Sequence, residues 1–167
     1  MLTQPKKPTN LKFVGSSQTK ITQKEKKVMF YHVKVQFSNV NENGATIKEK
    51  HEVLVDNCEF FAEAETKALD EFINAGDGDV DVTNMKRSNI MEFTNSPQGD
   101  DDENIYTATI VSIFVEENGK EKETKYHVGV FAKSVNEATS IVQQYMKMGL
   151  QDMRLVSVKE TKIESVL

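Results

Sequence analysis

The chain has 167 residues, 38% apolar and 28% charged, which is an ordinary composition for a globular protein. No apolar run approaches the roughly 18 residues of a membrane-spanning helix, and no basic segment followed by an apolar core marks a secretory signal, so we expect a cytoplasmic protein that does not contact membranes. The single cysteine, Cys58, excludes an internal disulfide and fits a reducing compartment.

The net charge of −5 is unevenly distributed along the chain. Residues 1–27 hold seven lysines and one acidic residue, Glu25, which gives +6 and leaves −11 for residues 28–167. Two prolines and little hydrophobic periodicity predict that residues 1–27 form a flexible, extended arm. A basic arm on an acidic body is one way to reach a polyanion such as a nucleic acid. The alternative is a solvated tail that only keeps the protein soluble.

Residues 28–93 predict one unit of strand, strand, helix and strand. In the first strand, apolar residues alternate with polar ones, as in a strand with one buried face. Asn43-Gly44 then indicates a tight hairpin turn of the primed type, and a later segment carries apolar residues at helical spacing. The predicted elements are the strand Val28–Val40, its return strand Thr46–Asp56, the helix Phe60–Ala75 and the closing strand Val80–Phe93.

An acidic linker, residues 94–104, separates this unit from a second one over residues 105–167. The first strand of the second unit is apolar on both faces, which favours a central position in a sheet. The run Ser134-Val135-Asn136-Glu137 predicts a capping box at the start of a helix that ends at Gly149. The predicted strands are Ile105–Val115, Lys125–Phe131 and Met153–Leu167, with Asn118-Gly119 in the hairpin turn.

The second unit repeats the first. Tyr31 aligns with Tyr106, and Lys86 aligns with Lys159 after two one-residue shifts. The predicted fold is therefore α+β: two tandem β-β-α-β repeats form an antiparallel sheet with both helices packed on one face, related by a pseudo-twofold axis. Because a half of roughly 65 residues buries only a marginal core, we expect residues 28–167 to form one compact domain.

The sequence contains no constellation of catalytic or metal-binding residues. The three histidines have no second histidine or cysteine at metal-ligand spacing, so we predict no metal site. Cys58 precedes a helix, where a thiolate is stabilised, but a lone cysteine is more often structural. Asp77-Gly78-Asp79 looks like the start of a calcium loop but lacks the remaining ligands. We therefore predict a protein that is not an enzyme and that carries no cofactor.

Cations and aromatic residues are interleaved on the predicted strands. Phosphates need positive charge and bases need stacking surfaces, so this combination is typical of single-stranded nucleic-acid binding. Lysines also protect exposed strands from aggregation while aromatics fill the core, and this alternative stays open. Lys86 and Arg87 are the best-placed pair because they are adjacent cations in a closing strand. The predicted nucleic-acid-binding residues are Lys6, Lys7, Lys12, Phe13, Lys34, Lys48, Lys50, Lys86, Arg87, Lys125, Lys159, Tyr31 and Tyr106.

Several of these segments resemble the DUF4494 family, a domain of unknown function found in bacteria and their phages. The resemblance rests on Tyr31 with its Val-Lys-Val strand, on Phe61-Ala62-Glu63-Ala64-Glu65, on Val82–Asn89, and in the second half on Ser134–Ala138 and Val156–Thr161. It covers about residues 28–167. This chain departs from the family in its longer basic arm and in Phe60, which replaces a polar helix cap. The family brings no catalytic residues, and it implies a small cytoplasmic accessory protein in a phage or mobile-element setting.

The leading hypothesis is a non-enzymatic module that binds single-stranded DNA in phage or mobile-element replication or recombination. The lysines would neutralise phosphates, while Tyr31, Tyr106 and Phe13 would stack on bases. The second hypothesis is a protein-interaction module, either an adaptor or an inhibitor of a host protein. Such a module would use the apolar strand of the second unit or the free sheet face, which would also allow a homodimer.

Overall fold

Eight strands and two helices are formed by residues 29–167, the part of the chain that the computed structural model describes. The predicted arm lies outside these residues. The α+β class is confirmed. In chain order the elements are β1 (Tyr31–Val40), β2 (Thr46–Val55), α1 (Phe61–Phe72), β3 (Val80–Arg87), β4 (Ile90–Phe93), β5 (Asn104–Val115), β6 (Glu121–Ala132), α2 (Val135–Met148), β7 (Asp152–Glu160) and β8 (Ser165–Val166).

The strands form two sheets, so the prediction of a single antiparallel sheet is wrong. The first sheet has the strand order β3-β1-β2-β8, and the second has the order β4-β6-β5-β7. Neighbouring strands are antiparallel, except that β8 lies parallel to β2 and β4 lies parallel to β6. β5 lies inside its sheet, as its two apolar faces predict. The prediction failed because it treated β3 and β4, which belong to different sheets, as one strand.

The first predicted closing strand, Val80–Phe93, is interrupted at Ser88. The Ser88 amide donates to the Phe30 carbonyl at 2.7 Å, and the Ser88 hydroxyl oxygen accepts from the Ile90 amide at 3.2 Å. A serine side chain that bonds its local backbone offers the chain an alternative to the strand ladder. The chain therefore leaves the first sheet after β3 and enters the second sheet as β4.

The second predicted closing strand, Met153–Leu167, is interrupted in the same way at Thr161. The Thr161 amide donates to the Ile105 carbonyl at 3.0 Å, and the Thr161 hydroxyl oxygen accepts from the Ile163 amide at 3.2 Å. The chain then joins the first sheet as β8, beside β2. Each half therefore gives one strand to the sheet of the other half. We call the segments 88–89 and 161–164 the two crossovers.

The first hairpin has a three-residue loop rather than the predicted primed turn. The Gly44 amide donates to the Asn41 carbonyl, and the Asn41 amide donates to the Ala45 carbonyl, both at 2.9 Å. Gly44 has a positive φ of 76°, but Asn43 does not have the positive φ that a primed turn requires of both central residues. The Asn41 side chain favours this loop because its carbonyl oxygen accepts from the Asn43 and Ala45 amides.

The two helices begin differently. The cap predicted at Ser134 is confirmed, since its hydroxyl accepts from the Glu137 amide at 3.2 Å. The Glu137 carboxylate accepts from the Lys133 amide at 2.8 Å, one residue before the position that a capping box uses. α1 has no side-chain cap because Phe60 occupies the cap position.

Each helix covers one face of one sheet. α1 packs on the first sheet through Ala64 and Ala68, which are fully buried, and α2 covers the second sheet in the same way. Phe61 and Ile73, two apolar residues of the predicted helix Phe60–Ala75, are exposed. Ile73 lies beyond the end of α1 at Phe72, so it is not held against the sheet.

A third apolar cluster joins the halves on the sheet faces that carry no helix. Leu54 of β2 is fully buried there and pairs with His32. The residues on either side of Leu54 along β2 face α1 instead. Complete burial of a leucine side chain stabilises the fold by roughly 1.5–3 kcal/mol. The other buried members are Phe30, Ile90, Ile105 and Ile163, and Phe93, Phe131 and Val166 pack against them.

Candidate functional site

The two predicted stacking tyrosines are core residues, so their predicted role is wrong. Tyr31 is fully buried against α1, and its hydroxyl donates to the Glu59 carbonyl at 3.0 Å. Tyr106 is 4% exposed and lies in the core beneath α2, where burial, with a smaller effect of the Glu160 charge, raises its pKa. A base needs an open ring face, and neither ring offers one. Four other predicted residues, Lys6, Lys7, Lys12 and Phe13, lie outside the described residues.

Four predicted lysines lie on one face of the first sheet, the face opposite α1. We call Lys34, Lys48, Lys50 and Lys86 the lysine face. Their cross-strand neighbours are polar: Lys34 lies opposite Glu52 and Asn84, Lys50 opposite Gln36, Lys48 opposite Ser38 and Lys86 opposite His32. The register makes Lys34 a diagonal neighbour of both Lys50 and Lys86, a separation of about 7–8 Å. The four lysines therefore form a diagonal row across three strands.

Glu52 is the carboxylate that contacts this row, while Asp81, which pairs with Gln36, also lies on this face. The two carboxylate oxygens of Glu52 lie 3.1 Å from Lys34 Nζ and 2.8 Å from His32 Nε2. Burial raises the pKa of Glu52, but the hydrogen bonds and charges of Lys34 and His32 outweigh it and hold the pKa below its usual value. Glu52 is therefore ionised at neutral pH, and it offsets the charge of Lys34.

The other three lysines of the row keep their charge available. Lys48, Lys50 and Lys86 are exposed, and none of them forms an ion pair with another residue in the range 29–167. Exposed, unpaired lysines can approach a phosphate without first breaking an internal contact. The lysine face is thus a positive surface on a body whose residues 28–167 sum to −11.

The remaining predicted cations are divided between faces. Lys86 lies opposite His32, whereas Arg87 lies opposite Tyr31, so these neighbours are directed to opposite faces of the first sheet. Lys125 and Lys159 lie on the helix-free face of the second sheet, in register with Val111 and Thr107. The prediction grouped these cations in one nucleic-acid-binding surface, whereas the structure distributes them over two sheets.

A cleft of about 300 Å³ lies between the two sheets, at the crossovers. From the first sheet it is lined by His32, Glu52, Lys86 and Arg87. The second sheet contributes Ile90 of β4 and Thr107 of β5, and the crossovers contribute Ser88, Asn89, Thr161, Lys162 and Ile163. Sequence reasoning missed Lys162 and Thr107 as functional candidates. Their proximity to Lys86 depends on the strand exchange, which has no local sequence signal.

Residues 29–167 contain no group of three or more histidine, cysteine, aspartate or glutamate side chains that could hold a metal ion. Cys58 is buried, and its thiol donates to the Asp56 carbonyl at 3.4 Å. Within the same residues no helix has the length and apolar character that crossing a bilayer requires.

Comparison with known proteins agrees with the resemblance found in the sequence. The model of a family described as a domain of unknown function, DUF4494, matches residues 29–167. No curated protein matches the chain.

Proposed function

Because the chain belongs to the DUF4494 family, whose function is unknown, we propose a function from the site alone: non-enzymatic binding of nucleic acid through its phosphates. The lysine face carries this proposal. Single-stranded DNA is the first candidate because a flexible strand can follow a diagonal row of cations across a sheet. The proposed setting is replication or recombination in the cytoplasm of a bacterium that carries a phage or mobile element.

Phosphate contact without base stacking has a measurable signature. Each lysine that neutralises a phosphate releases a counterion, so the logarithm of the affinity falls with the logarithm of salt concentration by about 0.7 per contact for a single strand. Three contacts, through Lys48, Lys50 and Lys86, would give a slope of about −2.1. The lysines of residues 1–27 would make the slope of the full chain steeper.

The test is fluorescence anisotropy of a labelled single-stranded oligonucleotide over a range of salt concentrations. The variant Lys48→Gln/Lys50→Gln should reduce the slope by about 1.4. The matched control is Lys122→Gln/Lys147→Gln, which changes the net charge equally but lies on β6 and α2. A second comparison uses a chain that lacks residues 1–27, to measure the contribution of the arm.

Two results would contradict the proposal. Full-length protein that does not bind at about 50 mM salt has no nucleic-acid function of this kind. Equal effects of the two double variants would show that only net charge matters and that the lysine face is not the site. An equal affinity for duplex DNA would be consistent with the phosphate contacts, but it would show that the protein does not prefer a single strand.

A protein partner is the second candidate, and a different surface favours it. Met148, the last residue of α2, is 78% exposed, and Leu150, which follows shortly after, is fully exposed. Covering these two side chains with a partner would remove apolar surface from water, which favours association. The partner that we propose to test is a second copy of this chain. Sedimentation velocity should show a concentration-dependent dimer that Leu150→Ser disperses, and a monomer at every concentration would exclude it.

We also infer that the two halves are copies of one β-β-α-β unit. The matching hydrogen bonds of Ser88 and Thr161 at the two crossovers support this inference. The order of the elements is the same in both halves, and each half contributes one strand to the sheet of the other half, which supports the inference as well. A structure-based alignment that failed to superpose β1–β3 on β5–β7 would contradict it.

A further inference from the structure

The cleft at the crossovers carries positive charge that the described chain does not balance. Three cations line it: Lys86 and Arg87 from β3, and Lys162 from the second crossover. None of the three forms an ion pair within residues 29–167. Glu52 is the only carboxylate among the lining residues, and Lys34 lies 3.1 Å from one of its oxygens. An anion that enters the cleft would therefore meet an excess of unpaired cations.

The two crossovers hold the wall of the cleft in one conformation. The hydroxyls of Ser88 and Thr161 accept from the amides of Ile90 and Ile163, each at 3.2 Å. Ile90 and Ile163 are buried in the cluster that joins the halves. A site that is already ordered loses less entropy when a ligand binds, so this anchoring favours affinity.

Thr107 adds a polar group without a partner. It lines the cleft, and its hydroxyl oxygen is buried without a hydrogen bond to any described residue. Leaving a buried hydroxyl unpaired costs roughly 1–3 kcal/mol. An acceptor bound in the cleft would supply the partner that this hydroxyl lacks. Lys159 lies opposite Thr107 in register, so a fourth cation flanks this side.

We propose that the cleft binds one phosphate group, held by Lys86 and Lys162, with Thr107 as an additional donor. Arginine and lysine are the side chains that proteins use for phosphate oxygens, and the volume of about 300 Å³ admits a phosphate with an attached sugar. The phosphate is either a diester in a nucleic-acid strand or a free monoester. In the diester form the inference rests on the proposed nucleic-acid function, and in the monoester form it does not.

The first experiment titrates inorganic phosphate into the ¹⁵N-labelled full chain, followed by NMR at constant ionic strength. Saturable shifts are expected for the amides of residues 88–90 and 161–163. Lys162→Gln should weaken the affinity about tenfold, the loss of one charged hydrogen bond. Lys120→Gln, in the second hairpin turn, is the control of equal charge and should change nothing. Unmoved amides, or equal affinity in the Lys162→Gln chain, would overturn the proposal.

A gain-of-function variant guards against effects of misfolding. Asn89 occupies the first crossover, just after Ser88, as Lys162 follows Thr161 in the second. Asn89→Lys adds a cation to the opposite side of the cleft and should therefore raise phosphate affinity severalfold. A folding defect cannot increase binding, so a rise in affinity would report on the site itself. An unchanged or lower affinity would count against the site.

A competition experiment identifies the source of the phosphate and tests the cleft separately from the lysine face. If a single-stranded oligonucleotide displaces inorganic phosphate from the cleft, the natural occupant is a backbone diester. If a deoxynucleoside monophosphate displaces it and the oligonucleotide does not, the occupant is a free monoester. Lys48→Gln/Lys50→Gln should leave phosphate binding in the cleft unchanged, so failure of the lysine face and failure of the cleft give different results.

Discussion

The exchange of β4 into the second sheet can be tested through one glycine. Gly129 of β6 lies opposite Phe93 of β4, and a Cβ atom at Gly129 would lie 2.4–2.7 Å from three atoms of the Phe93 ring. The ring cannot move freely, because it stacks on Phe131 at 4.7 Å between centroids and meets Phe30 edge-on at 5.5 Å. We therefore predict that Gly129→Ala destabilises the protein by about 1–3 kcal/mol, the cost of overpacking a filled core.

The magnitude should depend on Phe93. Removing the ring with Phe93→Ala costs about 3 kcal/mol by itself, the lower end for a phenylalanine that is only partly buried. In that background the added methyl meets no ring, and Gly129→Ala should be neutral or stabilise by about 0.4–1 kcal/mol, because alanine reduces the freedom of the unfolded chain. The two substitutions are therefore coupled by roughly 1–4 kcal/mol.

Urea unfolding of the four chains, followed by circular dichroism, measures this coupling. The matched control is Gly78→Ala, where the nearest atom is the Ser38 Cβ at 3.4 Å, an ordinary contact. The control should change the free energy of unfolding by no more than about 0.5 kcal/mol. An equal cost of Gly129→Ala with and without the Phe93 ring would refute the reasoning, since β4 would then not lie against β6.

Two further predictions concern α2 and its surroundings. Ser134→Ala should lower the free energy of unfolding by about 1 kcal/mol, since it removes the hydroxyl that accepts from the Glu137 amide, whereas Ser140→Ala in the same helix should cost much less. Burial first, and then the hydrogen bond that Tyr145 donates to the Glu92 carboxylate, raises the pKa of Tyr145 above its usual value near 10.0. The folded protein therefore keeps a proton that the unfolded chain releases, and stability is lost as the pH rises above about 10. Tyr145→Phe should reduce the slope of stability against pH there by up to about 1.4 kcal/mol per pH unit, and equal slopes in urea unfolding at several pH values would contradict this assignment.

Much of the secondary structure follows from local pattern. The alternation around Tyr31, Val33 and Val35 predicted β1 and also placed the Tyr31 ring on the apolar face. Its burial was therefore available from the sequence, which left open that the strand aromatics fill the core, and the structure selects that alternative. The prediction for the first hairpin turn was less accurate, because the Asn41 side chain selects a longer loop than Asn43-Gly44 suggests.

The candidate site was only half accessible from the sequence. Lys34, Lys48 and Lys50 share a face because β1 and β2 pair with the register that the hairpin sets. Lys86 joins them through the pairing of β3 with β1, over a separation of some fifty residues in the chain, for which the sequence gives no register. Lys162 and Thr107 approach Lys86 only because both crossovers meet between the sheets.

The amino-acid sequence by itself determined the helices, most of the strands, the cap at Ser134 and the unequal distribution of charge, since each depends on residues a few positions apart. Tertiary structure decided which sheet receives β4 and β8. Both strands are short, and their partners lie far away in the chain, so their pairing depends on the burial of Leu54, Ile90 and Ile163 in one shared cluster. That cluster forms only when both halves are folded, and for this reason the cleft beside it has no counterpart in any local pattern of residues.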